Sequence, residues 1–333
     1  MPEEQATLTR RFHLKILLRL IVAVGLTSFV LWQTNLTSIL HHFANTDIKL
    51  ISIAILLTVA DRILMAYRWL GLLSSLGRAL RPPFHILMRI FFISTFVGTF
   101  LPASVGGEAF RAFSLTRHHV SGPDAIASVF MDRMMGVLSV LILGSGGLLL
   151  AKSLARDPLV LGGLVITACG CVVVTLLIFN RQVANWARYV SGCLPFEKLK
   201  AIGSELIDAI QRYALHRSTL FYVLFCSIAV QIVRILIAYF IGESLHLDVS
   251  LQVYFTLMPL IVLIMLLPVT VSGIGTSQAA FVWFFGRVGV TAEEAFALSI
   301  IFVGLSILGN IPGGILYTME GLPKAENSGD HNI

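Results

Sequence analysis

Eight segments of the chain, at about 14–33, 48–73, 84–101, 124–151, 159–179, 219–243, 251–267 and 292–317, read as apolar helices. A helix needs about 20 mostly apolar residues to cross a ~30 Å hydrocarbon layer, and most of these segments reach that length. The chain is 56% hydrophobic and only 13% charged, where a soluble domain is roughly 45–50% apolar and 25% charged. Its mean hydropathy is +0.87. The expected fold is an all-α polytopic membrane protein, with residues 1–333 forming one integral membrane domain.

Two shorter stretches, 105–117 and 273–286, each follow a Leu-Pro and are too short or too Gly-rich to span comfortably. They belong to an internal near-repeat. Leu101-Pro102-Ala103-Ser104-Val105-Gly106-Gly107 is answered 166 residues later by Leu267-Pro268-Val269-Thr270-Val271-Ser272-Gly273. The same offset sets Arg68 opposite Arg234. With four extra residues it aligns Asp124, Ala125 and Ala127 with Glu294, Ala295 and Ala297. A repeat of this kind is read as two copies of one structural unit.

Loop charges choose between topologies, because short loops rich in Lys and Arg stay in the cytoplasm. If 84–101 crossed the membrane, Arg111, Arg117 and the basic run Arg181, Arg188, Lys198, Lys200, Arg212 and Arg217 would all lie outside. If instead 84–117 enters and returns to the same side as a re-entrant hairpin, only Lys152, Arg156 and Arg287 are left outside. The second hairpin, 251–287, then opens from the opposite face. The resulting expectation is an inverted-topology repeat, 48–151 against 219–317, with two re-entrant helical hairpins, which is a transporter architecture.

The N-terminus is expected in the cytoplasm. Arg10, Arg11, Lys15 and Arg19 precede the first apolar run, and no Ala-x-Ala-like site follows Trp32, so an uncleaved helix is expected. Between the repeats lies a cytoplasmic amphipathic connection at 181–217. Leu199, Ile202, Leu206, Ile210 and Tyr213 recur there at three- and four-residue spacing, which suits a helix on the leaflet surface or a short bundle. The tail, 322–333, is polar and expected to be disordered.

Charged residues inside apolar helices carry the functional reading, because each mid-helix Arg or Asp costs about 2.5–3.5 kcal/mol against lipid. Asp61, Arg62, Arg68, Glu108, Arg111, Asp132, Arg133 and Arg234 are such residues. Asp61 and Arg68, seven apart, share a helix face and are expected to partner each other or an ion. Arg68 could also snorkel to the headgroups. Arg62 and Arg133 are expected to neutralise Asp61 or Asp132. The break at Pro102 with Gly106 and Gly107 would aim free N–H groups into the membrane, and Arg111 one turn on makes phosphate the natural guest.

Other chemistries lack their residues. There is no H-E-x-x-H, G-x-S-x-G or P-loop, and Gly144-Ser145-Gly146-Gly147 reads as a helix-packing patch. His118 and His119 and the four scattered cysteines show no ligand spacing. The expectation is a non-enzyme with no metal and no cofactor. A net charge of +6 without a basic stripe on a soluble domain points away from nucleic acid.

At these residues the chain resembles the transmembrane-region family of lysylphosphatidylglycerol synthase, flippase-like integral membrane proteins. The resemblance rests on Leu101-Pro102 with Gly106-Gly107-Glu108 and Arg111, on Ala127-Ser128-Val129 with Asp132-Arg133 and Met134-Met135-Gly136, and on Leu267-Pro268 with Ser272-Gly273-Ile274-Gly275. It spans about 14–320 and implies lipid translocation in the inner, cytoplasmic membrane. These residues include no soluble synthase domain, so synthase activity is not expected. The family's second motif continues Gly-x-Gly-x-Arg-Glu, where this chain has Ser277-Gln278, a neutral pair.

The expected partner is a phosphate-bearing lipid, whether a phospholipid, a polyprenyl phosphate or a hopanoid-related lipid. Its binding residues would be Arg68, Gly106, Gly107, Glu108, Arg111, Arg234, Ser272 and Gly273, with Asp61, Asp132 and Arg133 as candidates for charge coupling. The alternative is a non-catalytic membrane partner of a lipid-modifying enzyme or glycosyltransferase.

Overall fold

A computed structural model describes residues 46–74, 82–100, 105–118, 120–150, 158–192, 197–266 and 273–320. The expected first helix at 14–33, the two Leu-Pro turns, Ser272 and the tail lie outside the described residues. What is described is helical throughout: α1 (Ile48–Leu73), α2 (Phe84–Phe100), α3 (Val105–Thr116), α4 (Gly122–Leu150), α5 (Pro158–Phe179), α6 (Arg181–Gly192), α7 (Glu197–Tyr213), α8 (Arg217–Ser244), α9 (Leu251–Met265), α10 (Thr276–Gly286), α11 (Ala292–Leu308) and α12 (Ile311–Glu320).

The order of helix lengths repeats. A long helix (α1, 26 residues), two short ones (α2 and α3, 17 and 12) and a long one (α4, 29) are followed, after α5 to α7, by α8 (28), α9 and α10 (15 and 11) and the span of α11 with α12 (28 residues over Ala292–Met319). At about 1.5 Å per residue, α3 and α10 are too short to cross a ~30 Å core.

Each short pair folds back on itself. Arg111 reaches Ser94, and a Cβ on Gly107 would sit 2.9 Å from the Gly98 Cα. Both contacts join residues whose numbers have the same sum, the signature of antiparallel packing. In the second pair, Tyr254 packs on Phe285 with ring centroids 5.2 Å apart, and a Cβ on Gly273 would meet the Met265 methyl at 3.5 Å. Those sums agree to within one. Two antiparallel helical hairpins therefore occupy the two places where the sequence repeats Leu-Pro.

α1 and α8 pack along their lengths, and the hairpins pack on the outer helices in a reciprocal way: α2 on α12, α9 on α4. Small residues permit both crossings. A Cβ on Gly313 would fall 1.9 Å from the Phe92 carbonyl oxygen, and one on Gly147 would fall 2.7 Å from the Thr256 Cα. Thr256 also donates its hydroxyl to the Gly147 carbonyl. The glycine patch on α4 is thus a packing surface carried by Gly147, while Gly146 meets nothing within 4 Å. Exposed Ile55, Leu56 and Val59 on α1, Val165, Ile166, Val172 and Val173 on α5, and Phe221 and Phe225 on α8 give the bundle an apolar exterior. That exterior suits a multi-pass membrane protein.

Two expectations are refined and one is corrected. The apolar span expected at 292–317 is present over Ala292–Met319, with a pause at Gly309-Asn310 between α11 and α12. The connection at 181–217 holds two helices: α7 covers the amphipathic spacing from Leu199 to Tyr213, and α6 starts at a 99° bend after Asn180, which ends α5 and whose side chain accepts from the Gln182 amide. Finally, the apolar face of α7 does not lie free on a leaflet. Ile207, Ile210 and Tyr213 are buried, with Ile210 and Tyr213 in a cluster shared with Met131 and Ile178. The exposed aromatics belong to α6 instead, at Trp186 and Tyr189.

Candidate functional site

Asp61 and Asp132 each hold two arginines, one per carboxylate oxygen. Asp132 on α4 accepts from Arg68 Nε at 2.7 Å through Oδ1 and from Arg111 Nη1 at 3.2 Å through Oδ2. Asp61 on α1 accepts from Arg234 Nε at 3.0 Å through Oδ1 and from Arg62 Nη1 at 3.1 Å through Oδ2. The four residues of these groups on α1 and α4, together with Arg111, are 8% exposed or less. Arg234 is the more open member, its side chain 25% exposed. A third pair, Arg133 with Glu108, is half-buried.

The guanidinium groups are held by more than charge. Arg111 lies between the Trp69 and Phe91 rings, 5.1 and 4.7 Å from their centroids, and donates Nε to Ser94 Oγ. Such stacking suits a flat, delocalised cation. Arg62 donates Nη2 to the Ser306 carbonyl and hydroxyl at 2.8 and 2.9 Å, tying α1 to α11. Gly309 leaves room for it: a Cβ there would lie 3.2 Å from Arg62 Nε. Gly136 does the same for Arg68, whose Nη1 would be 3.3 Å from an added Cβ.

Two adjoining cavities expose these groups. One, of about 220 Å³, is bordered by Asp61, Arg62 and Arg234 with Phe302 and Ser306. The other, of about 190 Å³, is bordered by Arg68, Glu108, Arg111, Asp132 and Gln231. Arg133, Arg234, Val262 and Leu266 border both. Val262 and Leu266 come from the end of α9, while Glu108 and Arg111 come from α3, so elements of both hairpins meet on the second cavity. The lining is that of a small polar group's site, smaller than the ~300–1,000 Å³ of a drug-sized pocket.

Charge defines what such a site can hold. Each aspartate carries one negative charge against two guanidinium groups, so each of the two groups retains one positive charge. The two hairpin turns, 101–104 and 267–272, contain no Asp or Glu that could balance it. Burial of unbalanced cations in a low-dielectric interior is costly, and an anion arriving there relieves the cost.

The site gathers Arg68, Glu108, Arg111, Arg234, Asp61, Arg62, Asp132 and Arg133, all named from sequence, and adds Ser306. Several partnerships differ from expectation. Asp61 does not pair with Arg68: it takes Arg62 from its own helix and Arg234 from α8. Arg68 does not snorkel, being buried on Asp132 with Ser227 3.5 Å from Nη1. Arg133 pairs with Glu108. Gly107 is a contact point inside the first hairpin and does not border either cavity, and neither Gly106 nor Gly273 is among the lining residues.

The repeat explains why the halves differ. The offset of 170 that aligns Asp124 with Glu294 carries Asp132 to Phe302. Phenylalanine offers no carboxylate, so Arg234, the counterpart of Arg68, reaches across to Asp61. At the second hairpin, Gln278 is turned inward, its Oε1 accepting from the Gly275 amide at 2.6 Å and the Ser277 hydroxyl at 3.0 Å. The neutral Ser277-Gln278 pair thereby caps its own helix start, with Gly275 at φ 88°.

The family model for the lysylphosphatidylglycerol synthase TM region matches residues 16–313. No curated protein matches the chain.

Proposed function

The chain belongs to the lysylphosphatidylglycerol synthase transmembrane-region family, and from that membership we propose that it translocates a phosphate-bearing lipid between the leaflets of the cytoplasmic membrane. The observation that carries this reading is the pair of Arg–Asp–Arg groups, each with one unbalanced positive charge, bordering adjoining cavities at which the two hairpins meet. The phosphate sits against Arg111 and Arg234, where planar guanidinium donors match its oxygens. The lipid tails stay outside, along the apolar flanks of the bundle.

The repeated order of helices, the paired antiparallel hairpins and the reciprocal packing of α2 on α12 and α9 on α4 support an inverted-topology repeat. In that arrangement the hairpins are re-entrant, dipping from opposite faces, and the basic stretch 181–217 stays cytoplasmic. Rocking one half against the other would expose the shared site to each leaflet in turn. Glu108 and Arg133, the more exposed pair, are the groups best placed to part and re-form as the site opens.

Translocation is tested with the full chain in liposomes, following a fluorescent phosphatidylglycerol from the inner to the outer leaflet by chemical quenching. The parent is expected to move the lipid, and Arg111→Gln and Arg234→Gln to slow it at least ~10-fold, the effect of about 1.4 kcal/mol on the translocation barrier. Parent-level movement by both variants removes Arg111 and Arg234 from the site. No movement by the parent, together with restored product when a lipid-modifying enzyme is co-reconstituted, favours the role of a non-catalytic partner.

A further inference from the structure

We propose that the translocated headgroup carries two linked phosphate groups, a lipid diphosphate, in preference to the single phosphodiester of an ordinary phospholipid. This rests on the lipid-phosphate reading above and names its substrate class. The site offers two separate cationic centres. Arg68, Asp132 and Arg111 leave one positive charge in one cavity, and Arg62, Asp61 and Arg234 leave one in the other. One phosphodiester would balance one centre and leave its neighbour charged and buried.

The two centres share one helix and adjoining cavities. Asp61 and Arg68 sit seven residues apart on α1, about 10 Å along the axis at ~1.5 Å per residue. Arg234 and Arg133 border both cavities, so the boundary between them is lined by guanidinium groups and not sealed by apolar side chains alone. Arginine side chains converging from the two ends can each meet one phosphate of a diphosphate. Both oxygens of Asp61 and of Asp132 already accept from arginine, so a cationic headgroup arriving there would compete with a guanidinium at each oxygen. Glu108 is likewise engaged by Arg133. A strongly anionic group is the complement this arrangement lacks.

The test uses the full-length protein in phosphatidylcholine nanodiscs with a radiolabelled prenyl diphosphate as probe, competed by prenyl monophosphate, phosphatidylglycerol, added phosphatidylcholine, added diacylglycerol and inorganic pyrophosphate. The prenyl diphosphate is expected to bind about 10-fold or more tighter than phosphatidylglycerol, a difference of about 1.4 kcal/mol, with the monophosphate between them. Arg111→Gln and Arg234→Gln are each expected to bring that ratio close to one. Arg111→Lys and Arg234→Lys, which keep the charge, should preserve part of it and serve if the glutamine variants misfold. Phosphatidylglycerol competing as well as the diphosphate, with phosphatidylcholine inert, overturns the diphosphate assignment and leaves the lipid-phosphate reading standing. Equal competition by phosphatidylcholine, itself a phosphodiester, likewise overturns the diphosphate assignment alone, whereas equal competition by added diacylglycerol, which carries no phosphate, overturns both. Inorganic pyrophosphate competing as well as the prenyl form replaces the lipid with a soluble anion and overturns the assignment as stated.

Discussion

Asp132→Asn lowers the stability of the folded protein by about 3–5 kcal/mol, the loss expected when one partner of a buried ion pair is removed. Asp132 is 5% exposed and takes Arg68 on one oxygen and Arg111 on the other. With asparagine there, two buried guanidinium groups would face each other across a neutral amide with no counter-charge between them. Arg111 cannot simply swing away, because Trp69 and Phe91 flank it. The change is read as a fall in unfolding midpoint during denaturation in detergent. Adding Arg111→Gln to the same chain removes one stranded charge, so the double variant is expected to be more stable than Asp132→Asn alone, a coupling that additive effects would not give. A loss below about 1 kcal/mol, the scale of an exposed pair, would mean that Asp132 is not the counter-charge of this site.

The second large effect comes from a residue without a side chain. A Cβ on Gly107 would lie 2.5 Å from the Ser94 carbonyl oxygen and 2.9 Å from the Gly98 Cα. Both are backbone atoms, which cannot rotate aside. Gly107→Val therefore pushes α3 away from α2, at a cost of about 1–3 kcal/mol for overpacking. It also displaces Arg111, one turn on, from Ser94 and from Asp132. Leaflet-to-leaflet movement is expected to fall at least as far as in Arg111→Gln. Gly146→Ala, where an added Cβ meets nothing within 4 Å, is the control and should behave as the parent in both measurements. Parent-like transport by Gly107→Val would detach the first hairpin from the site.

The sequence pattern located most helices to within a few residues because a run of apolar side chains at membrane length has few alternatives. Segments 48–73 and 159–179 match α1 and α5 closely, and the Leu-Pro breaks separate the paired short helices. The refinements have local causes. Nothing in an apolar pattern marks Gly309-Asn310 as a place where a helix pauses, since Asn310 donates to Thr99 on α2 only after the bundle has formed. The start of α6 coincides with the start of the connection at 181, where the pattern changes from uniformly apolar to amphipathic and the Asn180 side chain accepts from the Gln182 amide.

Charges inside apolar helices identified nearly the whole site, since each is too costly to face lipid. Their partners were not legible. Asp61 and Arg68 do share a helix face, as their spacing requires, but α8 brings Arg234 to the first and α4 brings Asp132 to the second. Helical spacing describes one helix; ion pairing here is decided between helices. The sequence offset sets Phe302 opposite Asp132, and that Arg234 takes Asp61 from the other half is seen only in the packed structure.

Photo-crosslinking places the headgroup most directly. A phosphate lipid with a photoreactive group beside its phosphate is incorporated with the full-length protein, irradiated, and the adducts are mapped by peptide mass spectrometry. Adducts are expected on Met65, Val262 or Leu266, which border the cavities, and should disappear in excess unlabelled phosphate lipid. Adducts confined to the apolar exterior, at Ile55, Val59, Phe221 or Phe225, would contradict a headgroup site between the two hairpins.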